Sequence, residues 1–165
     1  LSNYDGETMT KAAQILSELH CPFIINQNRY SILDRTVEKN GILKNAIEAK
    51  KGMIIFSPLA QGLLTDRYIN GIPEDSRVKT DGRFLKEGQI SPDMIEKIKK
   101  LNAIAENRGQ TLAQMALSWI YSREGITSVL IGASKPEQIT ENLKMTENIH
   151  FTDEERLAID KIVLG

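Results

Sequence analysis

Short, continuously apolar runs alternate with amphipathic segments along this chain, and that alternation constrains the fold more than any other feature. Glu7 to Leu19 carries Met9, Ala12, Ala13, Leu16 and Leu19 at helical spacing. Pro22-Phe23-Ile24-Ile25 reads as a buried strand ending at polar Asn26-Gln27. Asn40 to Lys51 reads as a helix stopped by Gly52, and Met53-Ile54-Ile55-Phe56 as a second strand ended by Ser57-Pro58. Ser91-Pro92 opens a helix to about Asn107, ended by Gly109. Thr111 with Gln114 forms a capping box for a helix to Tyr121. Thr127 to Ile131 is a third strand, a helix runs from Lys135 to about Met145, and Thr152 with Glu155 opens the last one. Apolar strands separated by helices predict a parallel sheet of βα units, covered on both faces. A closed barrel and an open doubly wound sheet both satisfy this pattern.

Residues Leu59 to Gln89 interrupt the alternation with a long irregular excursion, in which only a short helical turn near Leu63 is expected. Loops of that length in compact domains are usually functional or disordered.

At 165 residues the chain can build one sizeable core, and it is read as a single domain over 1–165. A formal net charge of −1 argues against nucleic acid or an anionic membrane as the main partner. Cys21 is the sole cysteine, so no internal disulfide can form, and no apolar run is long enough to span a bilayer. A reducing, cytoplasmic setting is expected. The chain opens on Leu1-Ser2-Asn3-Tyr4, which reads as the tail of a strand, so a piece of something longer is expected.

In parallel α/β folds the site lies at the carboxyl ends of the strands. Those ends supply Ser2 and Asn3, then Gln27 with Asn26 and Asn28, then Phe56-Ser57-Pro58-Leu59, then Ser134. Amides donate and accept at once, which suits a carboxamide, and an aromatic face stacks on a flat heterocycle. Ser134 reads as an N-cap, with Pro136 in the first turn and Glu137 completing a capping box. Free N–H groups at such a helix start attract an anion, and Lys135 adds positive charge. Arg67 and Arg77 in the long loop are placed to clamp a phosphate. Taken singly, each of these residues has a commoner role in a turn, a core or a solvated surface. Their weight comes from convergence on one end of the sheet.

The absences narrow the chemistry. There is no Gly-x-Gly-x-x-Gly turn and no Cys or His cluster with metal spacing. His20 and His150 have no evident triad partners and are expected at the surface. No residue stands out as a general acid.

Four segments in order carry a resemblance: Leu1-Ser2-Asn3-Tyr4; Asn26-Gln27-Asn28-Arg29-Tyr30; Phe56-Ser57-Pro58-Leu59-Ala60-Gln61-Gly62-Leu63-Leu64-Thr65; and Val129-Leu130-Ile131-Gly132-Ala133-Ser134. With Leu112-Ala113-Gln114-Met115-Ala116-Leu117-Ser118-Trp119, they make the chain similar to the aldo-keto reductases over its whole length. The nearest subgroup is the bacterial glyceraldehyde-3-phosphate reductases and the potassium-channel β-subunits.

The resemblance implies an α/β fold, the C-terminal half of a (β/α)8 TIM barrel from the end of strand five to strand eight. It implies NADPH bound without a Rossmann turn. Ser2, Asn3 and Gln27 would hold the nicotinamide carboxamide, and Phe56 would stack on the ring. Ser57, Leu59 and Gln61 would line the pyrophosphate, with Arg67 and Arg77 near the phosphates. Ser134, Lys135, Gln138, Glu141 and Asn142 would hold the adenosine end. The family's catalytic Asp, Tyr, Lys and His fall in the other half, so no catalytic residue is assigned here, and Tyr4 and Tyr30 belong to cofactor-side motifs. The implied activity of the full-length parent is NADPH-dependent reduction of small aldehydes or ketones, with the isolated chain inactive. The rival readings are an NADP(H)-binding regulatory or sensor module and an inactive fragment. Exposed half-barrel edges would favour homo-oligomers.

Overall fold

The structure is a computed structural model that describes residues 1–69 and 90–165. Two compact units divide the chain, Leu1–Pro58 with Ile120–Gly132, and Leu59–Trp119 with Ala133–Gly165.

The first unit is built on a parallel sheet of β1 (Ile25–Arg29), β2 (Gly52–Phe56) and β3 (Ile126–Val129), in that order. Parallel strands need crossovers, and α1 (Gly6–Glu18), α2 (Thr36–Lys39) and α3 (Ile42–Glu48) flank β1 in sequence. The chain start extends the sheet beyond β1. Ser2 bridges Gln27 in parallel, Gln27 N–H donates to Leu1 O at 2.9 Å, and Asn3 N–H donates to Gln27 O at 2.9 Å. The strand-tail reading of Leu1–Tyr4 is therefore matched by a single parallel bridge at Ser2.

The first strand is displaced from its predicted place. It begins at Ile25 rather than Pro22 and runs through Asn26, Gln27, Asn28 and Arg29. The apolar run misled because Ile24 is 78% exposed, while Asn26 is fully buried. Side chains alternate across a strand. Asn26, Asn28, Met53 and Ile55 take the buried face, and α3 packs against β2. Ile25, Gln27, Ile54 and Phe56 share the other face, where all are half-buried.

The helix predicted from Asn40 to Lys51 is the shorter α3, and α2, which was not predicted, precedes it. Gly41 separates the two with φ +80°, a conformation that side chains resist, and the Asn40 side chain accepts from Ile42 N–H at 3.1 Å. The break lets α1 approach closely: a Cβ on Gly6 would lie 2.7 Å from the Gly41 carbonyl carbon. Asp5, which sequence reading passed over, caps α1 through Thr8 N–H.

The second unit holds α4 (Pro92–Asn107), α5 (Leu112–Tyr121) up to Trp119, α6 (Pro136–Leu143) and α7 (Asp153–Leu164). Ser91 caps α4, and the Thr111–Gln114 and Thr152–Glu155 capping boxes form as expected. Helices α4 and α7 pack together, with Ile98, Leu101, Ala105 and Ile159 buried. Their corner is locked by Arg108, which bonds Glu155 at 2.6 Å, Asn148 O at 3.0 Å and Gln110 at 2.9 Å, and lies over the Phe151 ring. The excursion after β2 begins with two 3-10 turns, Ala60–Gly62 and Asp66–Tyr68, in place of the single turn expected near Leu63. Its remainder, with Arg77, lies outside the described residues.

Candidate functional site

In the first unit, Ser2, Asn3 and Gln27 lie beside one another, and Phe56 and Ser57 stand at the carboxyl end of β2. Register fixes this: Ser2 lies beside Gln27, Gln27 beside Ile54, and Arg29 beside Phe56. Paired residues in a parallel sheet point to the same face, so the Gln27 amide and the Phe56 ring share the half-open one. Gln27 is not at a strand end, as first read, but in the middle of β1. Its side-chain amide makes no hydrogen bond among the described residues, leaving donor and acceptor both available. Asn3 Nδ2 donates to Ser2 Oγ at 3.0 Å, which orients the neighbouring pair.

Backbone strain falls at the chain start and along the segment that follows β2. Asn3 (φ 59°), Ser57 (φ 53°), Ala60 (φ 48°) and Gln61 (φ 59°) are four of the six described non-glycine residues with positive φ. Such a conformation costs about 1–2 kcal/mol for an L side chain. Three of the four, Asn3, Ser57 and Gln61, are candidate binding positions.

A polar pocket of about 250 Å³ opens beside Asn3, Tyr4, Asn28, Asp34, Thr36 and Phe56. Asn28 is buried and donates to Tyr4 O at 3.0 Å, so it ties the two strand ends together. Burial tends to raise the Asp34 carboxyl, but bonds from Thr36 and the charge of Arg29, at 2.7 Å, hold it below the usual range. Next to the pocket lies a network that sequence reading missed. Glu38 accepts from Tyr30 and Arg35 and pairs with Arg123 at 3.2 Å. Burial and the bond to Glu38 raise the Tyr30 phenol, which remains protonated at neutral pH. Its hydroxyl is therefore committed to structure. The sequence offers only a Tyr, an Arg and a Glu between β1 and Asn40 as a signal.

In the second unit the candidates fall on three elements. Leu59 and Gln61 are half-buried at the first 3-10 turn, and Arg67 is exposed in the second. Ser134, Lys135, Gln138, Glu141 and Asn142 lie at and along α6, almost all exposed. The cap differs from the expected one. Lys135, not Ser134, is the N-cap, and the third helical residue is Gln138, not Glu137. A lysine side chain has no acceptor, so the box is one-sided: Gln138 Oε1 accepts from Lys135 N–H at 3.2 Å and Ser134 N–H at 2.8 Å. Two N–H groups expected to be free for an anion are thus covered by Gln138. The Ser134 hydroxyl also bonds this oxygen, at 3.3 Å. The Lys135 ammonium forms no ion pair among the described residues.

His20, His150 and Cys21 are exposed. No group of His, Cys, Asp and Glu suited to a metal occurs among the described residues. No described helix is long and apolar enough to cross a membrane.

A parallel α/β sheet with amides and an aromatic on its open face matches a known class. The Aldo/keto reductase family matches residues 1–164, and the chain belongs to that family. It is 43% identical over 164 residues to an L-glyceraldehyde 3-phosphate reductase of Escherichia coli O157:H7, covering 98% of this chain and 47% of that protein. It is 34% identical over 144 residues to a putative voltage-gated potassium channel subunit beta of Schizosaccharomyces pombe, covering 85% and 42%. A probable voltage-gated potassium channel subunit beta of Oryza sativa subsp. japonica is 32% identical over 164 residues, covering 98% and 49%. The chain spans about half the length of these relatives.

Proposed function

We propose that the chain is the C-terminal half of a (β/α)8 barrel, a single partial domain over 1–165. It supplies the NADPH cradle of a carbonyl reductase acting on small aldehydes or ketones. The observation that carries this is the shared face of Gln27 and Phe56 beside Ser2 and Asn3. The residues fit the group. An unpartnered amide that both donates and accepts matches a carboxamide, and a half-exposed ring matches a flat heterocycle. The dinucleotide, when bound, supplies hydride to the carbonyl carbon. Gln27, Ser2 and Asn3 hold its carboxamide, and Phe56 covers one ring face and excludes water from it. Ser57, Leu59, Gln61, Arg67 and Arg77 follow the pyrophosphate, and the residues of α6 hold the adenosine end. Gln138 must then turn its oxygen away from Ser134 and Lys135 N–H for those donors to reach a 2′-phosphate.

Tyr30 is tied to Glu38, which supports placing the proton donor outside these 165 residues. The isolated chain is expected to bind cofactor and to reduce nothing. The half-covered face and the edge strand β3 favour self-association.

Calorimetric titration of the chain with NADPH and NADH tests the reading. Saturable binding with a preference for NADPH supports it, and no binding of either dinucleotide overturns it. Two potassium channel β relatives favour a second reading, an NADP(H)-holding regulatory module. Carbonyl reduction by the full-length protein decides for the enzyme. Cofactor binding without turnover decides for the module.

A further inference from the structure

We propose that Gln114 is a positioning residue for the adenosine end of the dinucleotide, an inference that rests on the cradle proposed above. Gln114 belongs to α5, and the sequence assigns its side chain only to half of a capping box and its segment to a family-like motif. Its side chain does more. The residue is 7% exposed. Its Oε1 accepts from Thr111 N–H at 2.9 Å, and its Nε2 donates to the Glu141 carbonyl at 2.9 Å. One buried amide thus joins the first turn of α5 to the last turn of α6, where Glu141 and Asn142 stand.

That tether matters because α6 has little else to hold it. The helix has eight residues and none of them is buried. Ile139 and Leu143, its large apolar side chains, are 47% and 59% exposed. A helix this short is marginal without tertiary support. The chain beyond α6 is fixed separately: Asn148 O accepts from Gln110 Nε2 at 3.1 Å and from Arg108 at 3.0 Å, and Asn148 Nδ2 donates back to Arg108 O at 3.1 Å. The Gln114 bond lies between that anchor and the helix body. It keeps Gln138, Glu141 and Asn142 on an already ordered turn, so less freedom is lost on binding.

The test uses the 165-residue chain with Gln114→Met and Gln114→Glu. Gln114→Met removes both bonds. Gln114→Glu keeps an acceptor for Thr111 N–H near a helix N-terminus, where a carboxylate is welcome, and removes the donor to Glu141. The probes are adenosine 2′,5′-bisphosphate for the adenosine end and reduced nicotinamide mononucleotide for the other, titrated by calorimetry. Affinity for the bisphosphate is expected to fall on the order of tenfold in both variants. Affinity for the mononucleotide is expected to stay unchanged, and amide exchange near Glu141 to quicken. An unchanged bisphosphate affinity in either folded variant overturns the positioning role while leaving the cradle intact. Equal weakening of both probes also overturns it, because a general loss of structure would do that. Failure of the unmodified chain to bind the bisphosphate overturns the adenosine-end assignment and the role built on it.

Discussion

Tyr30 donates its phenolic hydrogen to Glu38 Oε1, and the same carboxylate is bound by Arg35 and Arg123. The Arg35 side chain is 4% exposed, so Glu38 supplies the countercharge of a buried cation. Glu38→Gln keeps the shape and removes that charge. A buried pair broken on one side costs about 3–5 kcal/mol. Glu38 is itself 23% exposed, so a loss of about 2 kcal/mol is expected, read from urea unfolding. A loss below about 0.5 kcal/mol, the usual scatter of neutral surface changes, would mean that the network is ornamental.

The same network sets a pH window. Burial pushes the Glu38 carboxyl up, but bonds from Arg35 and Tyr30 outweigh it and hold the folded pKa below the ordinary 4.5. Its contribution is complete above 4.5 and is lost as pH falls toward the folded value. Tyr30 is raised above the ordinary 10.0, first by burial and then by Glu38. Its contribution is complete below 10.0 and is lost as pH rises further. Thermal melts should give a plateau flanked by these two limbs. In Glu38→Gln the acid limb should shrink to the part carried by Asp34 and other carboxyls.

Arg108 makes a different demand on geometry. Its guanidinium bonds Gln110, Asn148 O and Glu155 at once and lies 3.7 Å from the Phe151 ring centre. Lysine keeps the charge but not the planar fork. Arg108→Lys should cost about 2 kcal/mol in equilibrium unfolding. Arg156→Lys, which would change only a longer contact at 5.6 Å, should cost little. Equal effects of the two substitutions would remove the argument from the fork.

Local signals stated their elements well. Ser91, Thr111 and Thr152 mark helix starts because a hydroxyl cap is a contact between near neighbours. Long-range polar burial was not legible. Asn26 and Asn28 look like a strand end, yet both lie on the buried face of β1. Asn28 finds its partner in Tyr4, 24 positions away in the chain. Arg123 reaches Glu38 over 85 positions. Spacing and periodicity carry no such information. The strand-end rule depends on topology, and the structure does place Ser2 and Asn3 beside Gln27, although Gln27 is mid-strand. The cap at α6 was misassigned because serine is the better cap by propensity, whereas Gln138 reaches back to both preceding N–H groups.

Ala60 has φ 48° in the turn after β2. Glycine adopts that conformation without the Cβ cost of about 1–2 kcal/mol. It also loses more freedom on folding, by roughly 0.5–1 kcal/mol. Ala60→Gly should therefore be stabilising by about 0.5 kcal/mol, or neutral, in a thermal melt. A clear loss of stability would show that the alanine methyl contributes packing that offsets the strain.

Gln27 offers the sharpest separation of binding from folding. Its amide has no hydrogen-bond partner among the described residues and is half-buried on the open face of the sheet, so removing it sacrifices no bond in the free protein. Gln27→Leu preserves the approximate volume and the strand. Thermal stability should stay within about 0.5 kcal/mol of the unmodified chain. Affinity for NADPH should fall about tenfold, because the carboxamide would lose both a donor and an acceptor. Adenosine 2′,5′-bisphosphate, which has no carboxamide, should bind as before. A variant that melts normally and binds NADPH unchanged would remove Gln27 from the cradle. Equal weakening of the bisphosphate would show that the substitution acts through the fold rather than through the nicotinamide.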